Sequence, residues 1–362
     1  MKYLNALNKI NGIGPQKIKM LLDFFGSAEN VWKANCGQLK ESRINDSVVE
    51  KIIEERDKIN PDKEWENLEK ESIAIVTFQD DSYPKLLKEI SNPPYMLYVK
   101  SVDGGTYDFN SSPLITIVGS RKYTNYGKQA AENFARELAR AGIAVVSGLA
   151  LGIDSFAHRG ALEGGGKTIA VLGSSLEDQN IGPRTNFELS RDIMESGALV
   201  SEFPVGVTSI PGNFPARNRL MAGMTLGTLV IEAAVDSGSL ITASLALEFN
   251  REVFALPGSV FSPQSEGANK LIKSGAKLVA NIADILEELN IEQIKAAEKV
   301  KKIIPASAEE EIILKNLSHE PTHIDKIMKL TKLEASVASS TLAIMEMKGM
   351  VKNIGGQNYI II

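Results

Sequence analysis

The sequence of 362 residues holds one cysteine, Cys36, and only three histidines. A lone cysteine cannot close a disulfide within the chain, so a reducing, cytoplasmic setting is expected. His158, His319 and His323 are too scattered in sequence to form a ligand set, and no metal site or cofactor is expected. Long apolar runs are also missing. None approaches the ~18 residues that a bilayer-spanning helix needs, and Met1-Lys-Tyr-Leu-Asn opens no secretory apolar stretch, so no membrane association is expected. There is no surplus of positive charge either: 40 Lys and Arg face 45 Asp and Glu, a net charge of −5. Binders of polyanions usually carry a basic face, so the whole-chain balance argues mildly against nucleic acid. That objection is limited, because the acidic residues cluster. Residues 283–311 hold eight of them against four lysines, which leaves room for a basic groove elsewhere.

What is present is ordinary for a soluble protein, with 43% hydrophobic and 23% charged residues over a length that allows about two or three domains. The most informative stretch runs from Ile115 to His158. A β-branched run, Ile115 to Val118, ends in Gly119-Ser120-Arg121. A helical pattern follows from about Tyr126 to Ala141, with Ala130, Phe134, Leu138 and Ala141 on one face, and Gly142 closes it. A second apolar run, Ile143 to Val146, opens into Ser147-Gly148. Strand, glycine turn, helix, strand is a βαβ unit, and strands apolar throughout belong to a sheet covered on both faces. Ligands of such sheets bind at the carboxyl ends of the strands, where small residues admit a phosphate to backbone N–H groups. Arg121 adds a planar, permanently charged fork, so an anion site is expected here.

Further strands are expected at residues 73–77, 95–99, 168–172, 198–201, 226–231, 253–256 and 277–279, with helices near 186–196, 217–224, 240–250 and 269–274. That alternation means a doubly wound, mostly parallel α/β sheet of extended Rossmann-like type. Neither standard phosphate loop fits. Gly119 to Thr124 lacks the dinucleotide fingerprint, and Gly164-Gly-Gly-Lys167 leads into a strand where an ATPase loop leads into a helix. Lys167 remains a candidate phosphate contact. Glu202 to Arg219 forms a second dense site. Three prolines and two glycines make residues 203–215 a loop, and a helix starting near Ala216 would carry Arg217, Asn218 and Arg219 in its first turn. Arginines there run against the usual preference for acidic residues unless an anion intervenes. The two arginines point to different sides of the helix, which leaves one for a structural role. Phe214 either stacks on a base or plugs the core. Ser237-Gly238-Ser239 with Thr242 offers another glycine-hydroxyl cradle at a helix start.

The flanks read as smaller units. Residues 1–65 form an N-terminal helical domain, with Asn11-Gly-Ile-Gly-Pro15 as the turn of a helix-hairpin-helix or SAM-like module, or alternatively of a helical bundle with no DNA contact. Residues 66–290 hold the sheet, and 291–308 a Lys/Glu-rich linker containing Pro305. Residues 309–362 show three helices (309–317, 322–330 and 334–348, the last ended by Gly349) and a hairpin of 350–354 with 357–362 across Gly355-Gly356, the pattern of a winged-helix domain. Its third helix carries Lys348 as its only late cation, poor for reading a major groove and better suited to protein contact or accessory DNA contact.

Several motifs in order resemble one family. GSR at 119–121, SGLALGID at 147–154 with His158, TIAVLG at 168–173, FPARNR at 214–219, SGSLIT at 237–242 and REVFALPG at 251–258 are similar to those of the DNA-processing protein A (DprA/Smf) family. The likeness spans roughly Ser72 to Asn281. It implies an extended Rossmann fold that binds single-stranded DNA, loads a RecA-type recombinase during natural transformation, and forms a homodimer. The segment 175–186 departs from the family, which usually has a Tyr-Pro pair before the asparagine. No catalytic constellation emerges from the residues. His158 reads as a structural histidine and Asp154 as a helix-start residue. The competing expectation is a Rossmann-like hydrolase of nucleoside monophosphates, with Glu232 as acid and Arg217 as phosphate anchor.

Overall fold

The computed structural model describes residues 1–102, 104, 107–291, 307–317, 321–347 and 350–361. Within them the chain forms two compact units, 1–285 and 286–362.

The first unit is built on a nine-stranded sheet. Its strands are β1 (Ala74–Thr77), β2 (Met96–Lys100), β3 (Leu114–Val118), β4 (Ala144–Ser147), β5 (Thr168–Leu172), β6 (Ala198–Ser201), β7 (Gly227–Val230), β8 (Glu252–Ala255) and β9 (Lys277–Leu278). They lie in the order β1-β2-β6-β5-β4-β3-β7-β8-β9. The β1–β2 and β2–β6 pairings are antiparallel and all others parallel. The long helices between strands are α7 (Asn125–Arg140), α8 (Ile153–Glu163), α9 (Phe187–Ser196), α10 (Asn213–Met224), α11 (Ser239–Glu248) and α12 (Glu266–Lys273). The parallel strands β3 to β8 are almost wholly buried side chain by side chain, because helices cover both faces. The order runs from β3 toward β6 in one direction and from β3 through β7 to β9 in the other. The sheet therefore reverses between β3 and β7, where crevices form beyond the carboxyl ends of the strands.

Six helices precede the sheet: α1 (Lys2–Asn8), α2 (Pro15–Phe25), α3 (Ala28–Lys33), α4 (Cys36–Glu41), α5 (Asp46–Arg56) and α6 (Pro61–Lys70). They do not stand apart as the sequence suggests. Leu4, Leu7, Ile18, Leu21 and Ile52 share one core with Tyr98, Leu172, Leu199 and Ile193 of the sheet layer. The buried Tyr98 hydroxyl donates to Asn5 Oδ1 at 2.7 Å, so a polar bond is also spent on this seam. The expected boundary at 65/66 falls inside α6. An apolar stripe on each helix carries no mark of whether it faces other helices or a sheet, so sequence could not place this interface.

The second unit has helices at Ala308–Asn316, Ile324–Thr331 and Ala335–Met347 and strands at Thr322–His323, Val351–Asn353 and Asn358–Ile361, with the last strand in the middle. Ile313, Ile327, Leu342, Met345 and Val351 form its core. This is a winged helix, with a short additional strand that its sequence did not announce. Most of the linker (292–306), Lys348, Gly349 and Ile362 lie outside the described residues.

Candidate functional site

A cavity of about 550 Å³ opens at the reversal point of the sheet. Its floor is the end of β3, Val118 to Lys122. One wall is α10, through Phe214, Arg217 and Asn218, and the other is the turn after β7 with the start of α11, through Asp236 to Ser239 and Thr242. Gly119 sits under the first turn of α8, where an added Cβ would lie 2.7 Å from the Ile153 side chain. A glycine is needed there for strand end and helix to meet, a packing reason separate from any ligand.

Arg217 dominates the electrostatics. Its side chain is only 6% exposed, its Nη1 lies 3.8 Å from Asp154 Oδ2, and its remaining close partner is the Met221 sulfur at 3.5 Å. Nε has no partner. Burial pulls the guanidinium below its ordinary value, with the Asp154 charge opposing and Arg121 adding to the pull. Asp154 is pushed up by burial against the opposing charge of Arg217 and accepts the N–H groups of Gly148 and Ala150 at 3.2 and 3.4 Å. A buried charge held by one long ion pair and a sulfur is short of partners, and an anion in the cavity would supply them.

Arg121 is exposed at the rim, its guanidinium 5.2 Å from the centroid of the Phe214 ring, while that of Arg217 is 5.8 Å away. Phe214 is half-buried and also lies against Gly173. The ring therefore spaces two cations apart, an arrangement neither of its sequence readings contained. Asn218 donates to Gly238 O at 3.4 Å, Ser237 and Ser239 share a hydroxyl contact at 2.7 Å, and the buried Thr242 hydroxyl has no partner among the described residues. Ser120 donates to Gln264 Oε1 at 2.8 Å and accepts the Lys122 N–H at 3.0 Å.

Four expected site residues lie elsewhere. Ser147 is fully buried and donates to Ile117 O at 2.7 Å. Gly148 is small because Arg217 needs its space, since a Cβ would sit 1.1 Å from Nη1, and its N–H is taken by Asp154. Arg219 makes two bonds to Glu202, at 2.7 and 2.6 Å, and reaches Asn92 O. Lys167 immediately precedes β5, at the amino edge of the sheet, where it contacts Ser111 Oγ at 3.2 Å and stands 5.4 Å from the Tyr107 ring centroid. The helix expected from Ala216 begins at Asn213, so Arg217 and Arg219 lie in its second turn and no anomaly at a helix start remains.

The residues that sequence reasoning passed over are Lys122, Gln264, Asp236 and the partner role of Asp154. Asp154 does open α8, and its pairing with Arg217 comes only from the fold. The divergent segment 175–186 supports the site from behind: Asn186 donates to Leu149 O and Ser155 Oγ, both at 2.8 Å, holding the turn that positions Asp154. His158 is fully buried beside Thr168 Oγ1 at 2.7 Å and is pulled down to about 3 by burial, helped by the charge of Arg217. Glu232, the acid of the competing expectation, is buried outside the cavity. Its Oε2 accepts the Thr124 N–H at 2.9 Å and its Oε1 the Thr124 hydroxyl at 2.6 Å, so it anchors the start of α7.

Residues 74–290 match the sequence profile of DNA recombination-mediator protein A, and residues 297–357 that of the DprA winged helix domain. Protein Smf of Synechocystis is 34% identical, with 99% of this chain and 98% of that protein covered. The X-ray structure of DNA processing protein A from Streptococcus pneumoniae superposes with a TM-score of 0.67 at 34% identity, covering 80% of this chain and 98% of that one. A Helicobacter pylori DNA processing protein A structure, described for its single-stranded DNA binding mode, gives 0.53 at 32% identity over 59% of this chain and 95% of that one.

Proposed function

We propose, since this chain belongs to the DNA recombination-mediator protein A family, that its pocket grips the backbone of single-stranded DNA and that the protein shields the strand and hands it to a RecA-type recombinase. The observation that carries this reading is Arg217, a buried guanidinium short of partners that faces a cavity of about 550 Å³. Its deficit suits a backbone phosphate, which offers two non-bridging oxygens where Asp154 offers one at long range. Around it, Arg121 and Lys122 add charge at the rim, and Gly119, Ser120, Asn218, Ser237, Gly238, Ser239 and Thr242 line the path of a backbone with small and hydroxyl-bearing groups. Phe214 sets the spacing of the two arginines. Natural transformation and a homodimer follow as the family setting of this activity.

Binding of a fluorescent oligo-dT, compared with matched duplex and a nucleoside monophosphate across salt, tests the reading. Affinity for the single strand should be highest, and its logarithm should fall with the logarithm of salt by about 0.7 per phosphate neutralised. Arg121→Ala should weaken binding and flatten that slope by about one contact. Turnover of the monophosphate with indifference to single strands would sink the proposal.

A further inference from the structure

Beside the pocket, the turn after β8 carries the most exposed large apolar side chain among the described residues. Phe261 is 94% exposed and its neighbour Val260 83%. A ring left in water gains nothing from folding, and exposed apolar surface next to a binding cavity marks a contact waiting for a partner. The turn is tied down. Phe261 N–H donates to Ser259 Oγ at 3.2 Å and Ser262 N–H to Ser259 O at 3.0 Å. Gly258 exchanges two bonds with the Asn269 amide, at 3.2 and 3.0 Å. The following short turn, Pro263–Ser265, brings Gln264 onto the pocket wall against Ser120. The backbone that carries the ring is thus tied down, and three residues on, at Gln264, it joins the cavity wall.

We propose that Phe261 is a stacking platform for a base of the strand whose phosphates enter the pocket. The proposal rests on the single-strand reading above and adds to it the group that receives the base. Phe214 is poorly placed for that task, because two guanidiniums stand 5.2 and 5.8 Å from its centroid and it is half-buried. Phe261 has both faces open. Every base presents a π-face, so such a contact accepts any sequence. The occupant is a nucleobase rather than another protein surface, since the ring lies three residues before Gln264, which lines the cavity where Arg121 and Arg217 would fix the phosphates.

The test compares oligo-dT with an abasic oligonucleotide of equal length and charge, for wild type, Phe261→Ala and Phe261→Trp, with the mass of each protein measured in solution. Wild type should prefer oligo-dT. Phe261→Ala should lose roughly 5- to 150-fold in affinity for it, the range alanine substitution gives for one stacked base, while abasic binding and the salt slope stay unchanged. Phe261→Trp should keep the preference, with its indole fluorescence quenched on binding. If Phe261→Ala retains the wild-type preference, stacking is wrong and the phosphate grip stands. Equal loss for both oligonucleotides with a drop in mass also overturns stacking, because the ring then serves a contact between copies. Wild type that binds neither strand overturns both proposals.

Discussion

The two sides of α10 show how neighbouring arginines come to do different things. Arg219 turns toward the seam with the N-terminal helices and is fully engaged, with both Glu202 oxygens and the Asn92 carbonyl as acceptors. Arg217 turns toward the cavity and keeps one ion pair at 3.8 Å and an Nε without a partner. Both are largely buried, so burial does not separate them. Pairing does. A satisfied buried cation holds structure together, whereas an under-paired one beside a cavity is available to a ligand. The sharpest way to break this contrast is Arg219→Ala, which leaves Glu202 buried and alone. Burial already pushes that carboxyl up, with Arg219 opposing. Loss of the partner should cost about 3–5 kcal/mol in chemical denaturation, while the folded protein binds oligo-dT as wild type does. A large loss of affinity at unchanged stability would reverse the assignment of the two sides.

The next effect in size tests the pocket side. Gly148→Ala puts a methyl where Arg217 Nη1 lies, 1.1 Å from its ideal position. Overpacking of this kind costs about 1–3 kcal/mol, and the guanidinium must leave its place. Stability and single-strand affinity should therefore fall together, unlike in Arg219→Ala. Affinity that survives would show that Arg217 grips from another position.

Gly148 also shows where the sequence stops being legible. The strands were readable because a buried parallel strand is a local apolar run. Thr168–Leu172 and Ala198–Ser201 fall where expected, and the others within about a residue or two at each end, the usual disagreement of boundaries. The lining of the cavity was half readable for the same reason: Gly119, Ser120 and Arg121 directly follow β3 and 237–242 lies where the loop after β7 enters α11, and the carboxyl ends of strands are where a parallel sheet binds. What Ser147-Gly148 is for was not readable. Its small residues signal a close approach, and only the fold reveals that the approaching group is an arginine from α10 and not a phosphate. Arg219 was opaque likewise, because Glu202 and Asn92 reach it from separate segments.

A smaller effect probes the support behind Arg217. His158 is held neutral, pulled from an ordinary 6.5 down to about 3 mainly by burial, with the facing Arg217 charge adding to it. The unfolded chain takes up a proton as pH falls through 6.5 and the folded chain does not until about 3, so stability should fall as pH drops across that window. The slope attached to this one residue is at most about 1.4 kcal/mol per pH unit. Asp154, pushed up by burial, works in the opposite sense, so the comparison must isolate the histidine. His158→Gln should flatten the decline between pH 6 and 4 (roughly the centre of the window) relative to wild type in denaturant titrations. Parallel curves would mean that His158 is protonated in the fold.

The smallest expected effect separates the two edges of the sheet. By sequence Arg121 belonged to the expected anion site and Lys167 was a further candidate phosphate contact, each beside glycines at one end of a strand. The fold puts Arg121 after β3 on the cavity and Lys167 before β5 on the opposite edge, near Ser111 and the ring of Tyr107. An exposed contact of that kind is worth about 0.5–1 kcal/mol to the fold. Lys167→Ala should thus lower stability slightly and leave both oligo-dT affinity and its salt slope at wild-type values. Arg121→Ala should do the reverse, because its guanidinium is exposed and its removal leaves no buried carboxylate behind. Equal flattening of the salt slope by both substitutions would mean that the strand continues around the sheet to its amino edge. The contrast drawn on α10 would then hold only for the part of the path nearest Arg217.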